Sequence, residues 1–330
     1  MNFPHMTMVQ QTFDRTVVED IPATVAAELE RIGARSKVKP GQKVAITAGS
    51  RGVANIATVT KAVVDFMKDC GAEPFIFPAM GSHAGGMAEG QKALVGHYGI
   101  SEQTMGCPIL STMEVEEIGR NPDGLPIFLD KYARTADHIV VVNRVKPHTK
   151  FEGPIESGLM KMIAIGMGKY HVADLYHNAC VQFGMNRVIE TVGLVVMEKS
   201  PVLCGLALVE NGYDQTAIIR ALLPGELFEE EKKLLLESRR RMARIPFSDI
   251  DLLIIDEMGK NISGTGMDTN ITGVNRDILG TFSSEPRTKR LFVRDLTAVS
   301  EGNAVGIGLA DVTTTRLVNK IDRKKTYIKL

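Results

Sequence analysis

Four times in this chain a short apolar run breaks off into a polar, glycine-rich loop. The loops lie at residues 48–52, 81–86, 146–158 and 259–273. The runs before them, at 43–47, 73–77, 138–143 and 249–256, are short and rich in branched and aromatic residues, the pattern of buried strands. Helical patterns follow at 54–69 and 87–98. Strands that alternate with helices form βαβ units, so the expected fold class is α/β with mainly parallel sheets. In open sheets of this kind, ligands bind beyond the carboxyl ends of the strands. That rule brings Arg51, His83, His148 and Lys260 to one edge before any strand order is known. Elsewhere, Asn121-Pro122-Asp123-Gly124 is a turn, which predicts an antiparallel hairpin across 114–129. A strand is expected at 202–209, a charged connecting helix at 225–242, a strand at 291–293 and a last helix over 304–320.

At 330 residues the chain exceeds one ordinary core, and two α/β domains are expected, 1–245 and a smaller 246–330. Lys+Arg and Asp+Glu are both 39, which argues against a nucleic-acid partner or a membrane surface. The basic runs Arg239-Arg240-Arg241 and Arg323-Lys324-Lys325 read as solvated helix faces. The four cysteines form no C-x-x-C pair and read as single buried thiols. The first nine residues lack a basic region followed by an apolar one, and no run reaches membrane-spanning length. A cytoplasmic protein is the expectation.

The chemistry-bearing residues concentrate between Arg144 and His177. Three of the seven histidines, His148, His171 and His177, fall there, and Lys161 interrupts an apolar run at 159–167. A lysine in such a run is a snorkelling stem or a buried amine of altered reactivity. The Gly-Ser-Arg-Gly loop before a helix offers backbone N–H groups and Arg51 to an anion, although a plain βα turn explains it equally well. It is neither a P-loop nor a dinucleotide fingerprint. His83 sits among small residues, and an imidazole titrating near ~6.5 suits acid–base work. Pro147 stiffens the approach to His148. Lys169 and His171 can join Lys161 and His177 around a metal or a carbonyl adduct. The loop at 259–268, with Lys260 and Asn261, reads as an anion or substrate contact. His5, His97 and His138 read as structural.

Gly-Ser-Arg-Gly, Gly-Ser-His, Lys-Pro-His followed by Ser-Gly-Leu-Met-Lys, the later His177 and Gly-Lys-Asn together resemble the nickel-dependent lactate racemase family. The resemblance spans roughly residues 40–280. It implies two α/β domains with the active site in the cleft between them. It implies a racemase or epimerase of a 2-hydroxy acid, working by reversible hydride transfer to a nickel-pincer nucleotide. Lys161 then matches the lysine that tethers the cofactor, and His177, 16 residues on, the nickel ligand. His83 and His148 match the two acid–base histidines. Arg51, Ser50 and Gly158 match cofactor contacts, and Arg51, Lys260 and Asn261 match substrate contacts. The implied partners are a small hydroxy acid and the enzymes that build and load the cofactor, with homo-oligomerisation left open. Two other readings stand beside this one. A metal-dependent hydrolase or lyase would use His83, His148 and His177 directly. A non-catalytic homologue would bind a nucleotide or an anion.

Overall fold

The computed structural model describes residues 5–276 and 285–327, without the side chains of Asp174 and His177. Its first seven strands are β1 (Lys43–Ala48), β2 (Glu73–Pro78), β3 (Val115–Arg120), β4 (Pro126–Asp130), β5 (His138–Arg144), β6 (Val202–Glu210) and β7 (Thr216–Leu222). Five of them form one sheet in the order β2-β1-β5-β6-β7, parallel except at the β6–β7 edge. The pair β3–β4 is the expected hairpin. The chain runs outward from β1 to β2, then returns to add β5 on the other side of β1. The topological switch therefore lies between β1 and β5, where such sheets open a crevice for ligands.

Side chains alternate across the strands, so each strand feeds two cores. Ala45, Ile139 and Val141 join the apolar cluster that takes in the helices Lys169–Phe183, Met185–Lys199 and Pro224–Arg241. Val44, Ile46, Val140 and Val142 join the other, with the helices Ile21–Arg31 and Ile56–Asp69. A helix expected merely to connect domains thus belongs to the core. Leu227, Leu234 and Leu235 of Pro224–Arg241 are buried. Its arginine run is not a solvated face either: Arg239 pairs with the buried Glu156, and Arg241 with Asp14.

The remaining strands are β8 (Asp249–Ile250), β9 (Leu253–Met258), β10 (Arg287–Thr288), β11 (Leu291–Leu296) and β12 (Val312–Thr313). The order β12-β11-β9 makes a small parallel sheet over its own core, which includes Met258, Leu291, Val293 and Leu317. The single buried strand expected at 249–256 is really two, β8 and β9, and Ile254 of β9 is exposed. The last helix is also shorter than expected. Gly306 takes a positive φ of 95°, a 3₁₀ turn covers Ile307–Leu309, and the helix begins only at Thr315, where Thr314 accepts the Leu317 N–H at 3.1 Å. Among the described residues no helix is long and apolar enough to cross a membrane.

Candidate active site

Arg51 follows β1, but the loop does not run straight into a helix. Residues 53–55 intervene before Ile56, with Asn55 left-handed at φ 58° and the Ala54 N–H donating to Glu210 Oε1 at 2.7 Å. The Gly-Ser-Arg-Gly loop therefore does not present a helix end, and what it offers to a charged group is the Arg51 side chain. The Ser50 carbonyl accepts from the Tyr98 hydroxyl at 3.1 Å. The guanidinium lies against the backbone of Gly264, where a Cβ would sit 2.9 Å from Nη2. Lys260 Nζ donates to the Gly264 carbonyl at 3.0 Å, so both cations meet at one point of the 259–273 loop. Asn261 is turned to structure, its Oδ1 accepting from Thr297 Oγ1 at 2.7 Å.

His83 hangs from the loop after β2, whose shape rests on positive φ at Gly81, Ala84, Gly85 and Gly86. Buried Gln91 ties that loop down, donating to the carbonyls of Gly81 (2.8 Å) and His83 (3.3 Å). Nη2 of Arg51 comes within 3.5 Å of His83 Nε2. Arginine only donates, so His83 Nε2 is the acceptor and the ring proton belongs on Nδ1, which is buried without a partner. The imidazole does not keep the ordinary value assumed from sequence. Burial first, then the charges of Arg51, Lys161 and Lys260, lower it to about 4. His83 is therefore neutral at neutral pH.

The loop after β5 is pinched at its base by reciprocal backbone bonds between Lys146 and Ser157. Inside it, the His148 N–H donates to Glu156, and the His148 ring lies 4.4 Å from that of Phe151. His148 Nδ1 accepts the Lys150 N–H at 3.1 Å, so its neutral ring carries the proton on Nε2. The two histidines thus hold opposite tautomers. Lys161 Nζ stands 5.5 Å from the centre of the Phe151 ring, which places this aromatic between His148 and the lysine. Burial first, then the charge of Arg51, brings the Lys161 ammonium down to about 8.

Gly158 is packed between Glu231 and Asn143. A Cβ there would lie 2.0 Å from Glu231 Oε1, and its carbonyl accepts from Asn143 Nδ2 at 2.7 Å. Lys169 and His171 do not join the cluster. Lys169 is fully buried and pairs with Asp130 at 2.9 Å while donating to the Pro78 carbonyl; His171 is exposed, edge-on to Phe128. The His177 side chain lies outside the described residues, although its backbone belongs to Lys169–Phe183. His138 is structural, with Nε2 3.0 Å from Gln42 Oε1. Sequence reasoning missed Gln91, Phe151, Glu156 and Glu231, since nothing local marks a residue that works by packing against a distant loop.

The smaller sheet is fastened to the β5 loop by Lys146–Asp268 (2.9 Å), by Asn270 Nδ2 to the His148 carbonyl (3.2 Å) and by Thr269 Oγ1 to the Thr149 carbonyl (2.7 Å). A cavity of about 290 Å³ adjoins this junction; Arg144, Glu210, Met242 and Ile271 line it, and Arg51, His83, Lys161 and Lys260 do not. Among the described residues no group of three or more His, Cys, Asp or Glu is arranged to hold a metal. The structure of the lactate racemase apoprotein from Thermoanaerobacterium thermosaccharolyticum superposes on 84% of this chain and 68% of its own, with a TM-score of 0.54 and 15% identity. The chain has a lactate racemase-like fold. No protein-family model matches the sequence, and no curated protein matches it.

Proposed function

We propose that this protein is an isomerase of the lactate racemase type, a racemase or epimerase of a 2-hydroxy acid that carries a nickel-pincer nucleotide on Lys161. One observation carries the reading. Arg51, Lys161 and Lys260 all act on His83 electrostatically, and none of the three has a carboxylate ion-pair partner among the described residues. Cations gathered without an ion-pair partner favour an anionic ligand; Glu156, whose charge reaches Lys161, is itself paired with Arg239.

The residues suit that cofactor. With its ammonium near 8, roughly a tenth of Lys161 is neutral amine at pH 7, enough to form an amide-type link. Arg51 and Lys260 offer charge to a phosphate or a carboxylate. The bound cofactor supplies hydride acceptance and return; by resemblance, His177 is its nickel ligand. The chain's own part is orientation and proton transfer. Arg51 and Lys260 hold the substrate carboxylate. Nε2 of His83 accepts the hydroxyl proton on one face; His148 serves the other face and returns a proton only as imidazolium, since loss of Nε2–H from its neutral ring would leave an imidazolate. An arriving carboxylate also offsets the cationic field and raises the His83 pKa, strengthening the base as substrate binds.

The test is the mass of the chain co-expressed with the enzymes that build the cofactor. A nucleotide-sized increment on the peptide holding Lys161, with stoichiometric nickel and no increment in Lys161→Ala, is the expected result. Unmodified Lys161, in cells that modify a lactate racemase, overturns the reading and leaves an anion-binding protein.

A further inference from the structure

The helix Pro224–Arg241 carries four glutamates besides Glu231, and each of them works near the surface. Glu229, Glu230 and Glu237 pair with Lys232, Lys233 and Arg240, and Glu226 accepts the Leu223 N–H at 3.0 Å. Glu231 differs. It is 1% exposed and shares the core-facing stripe with Leu227, Leu234 and Leu235, a position where the helical pattern calls for an apolar residue. No cation pairs with it among the described residues, and burial pushes its carboxyl up to about 8. A carboxyl group kept at such a position costs stability unless it satisfies something in return.

What it satisfies is the backbone of another element. Glu231 Oε2 accepts the Met160 N–H at 2.9 Å, and the Leu159 N–H also points to the carboxyl. These are the first N–H groups of Leu159–Lys161, a turn whose N-cap is Gly158, with no side chain of its own to offer. Oε1 occupies the space where a residue-158 side chain would begin. On its other side the Gly158 carbonyl is held from β5 by Asn143. Immediately after Lys161 the chain widens into a π turn, Met162–Gly166, so the regular support for the lysine lies on its N-terminal side.

We propose that Glu231 is a positioning residue for Lys161: it caps, from a distant helix, the turn that presents the lysine amine to Arg51 and His83, and residue 158 is glycine to admit it. This deepens the functional reading, because it rests on Lys161 being the working amine.

The test uses the unloaded full-length chain and an amine-reactive probe, acetic anhydride, with modification of Lys161 followed by peptide mass across pH and exposed Lys39 as the internal control. In Glu231→Ala the amine leaves the cationic field. Its labelling at pH 8 should fall roughly five- to tenfold and its titration midpoint should move up, while Lys39 is unchanged and circular dichroism stays native. Glu231→Gln keeps an acceptor oxygen and should restore the wild-type rate. Gly158→Ala should reproduce the Glu231→Ala defect, and the double variant should be no worse than Glu231→Ala alone. Wild-type Lys161 labelling in folded Glu231→Ala, or defects that add in the double variant, overturns the proposal. Should Glu231→Ala not fold, a Lys161 rate in Gly158→Ala equal to wild type overturns it, and a slowed rate there with Glu231→Gln near wild type supports it. The labelling rates report on Glu231 whether or not Lys161 proves to carry the cofactor.

Discussion

At the scale of single residues, His83 shows how surroundings set a role. Its folded-state pKa of about 4 lies below the ~6.5 of an unfolded histidine, so between those values the unfolded chain binds more protons. Stability from this site is fully present above about 6.5 and is lost as pH falls toward about 4. His83→Gln should therefore lose less stability than wild type between pH 7 and pH 5, measured by urea unfolding; parallel losses would mean that His83 is not held neutral. The candidate residue was legible in Gly-Ser-His, but its charge state was not. The lowering comes from burial and from Arg51, Lys161 and Lys260, which lie 32 to 177 positions away along the chain and become neighbours only after folding.

At the scale of elements, the segment 159–183 couples the tethering candidate to the sheet. Its π turn abuts the end of β2, with the Gly81 N–H donating to the Gly166 carbonyl at 3.2 Å. Two residues past that turn, Gly168 hands over to Lys169, which takes a positive φ of 59° and pairs with Asp130. Both members of this pair are fully buried, and Asp130 also caps Lys131–Arg134 through the N–H groups of Tyr132 and Ala133. Lys169→Met leaves that carboxylate buried without its cation and should cost about 3–5 kcal/mol in urea unfolding. A cost under about 1 kcal/mol would show the pair to be incidental. From sequence Lys169 was indistinguishable from a reactive lysine, because a buried ion pair and a catalytic amine both place a charge inside an apolar run.

For the molecule as a whole, the cationic cluster is assembled from two sheets. Arg51, His83 and Lys161 come from the larger one, and Lys260 with Gly264 from the loop after β9. An anion that bridges them should bind the folded chain and not the unfolded one. Inorganic phosphate at ten times its Kd would add about 1.4 kcal/mol and raise the melting temperature. That rise should shrink in Lys260→Ala and vanish in Arg51→Ala/Lys260→Ala; equal rises in all three proteins would place phosphate elsewhere.

The amino-acid sequence by itself determined the α/β class, most strand and helix positions, and the gathering of three loops, after β1, β2 and β5, at one sheet edge; the fourth, after β9, belongs to the second sheet. These follow from local periodicity, from glycine placement and from a rule that holds for any order of parallel strands. Only the tertiary structure decided that β5 inserts beside β1, that Glu231 lies under Gly158, that Lys169 is sealed away, and that His83 and His148 hold opposite protons. Each of those depends on groups brought within a few ångströms of each other from remote parts of the chain, and burial and electrostatic fields act over that distance in space, whatever the separation in sequence.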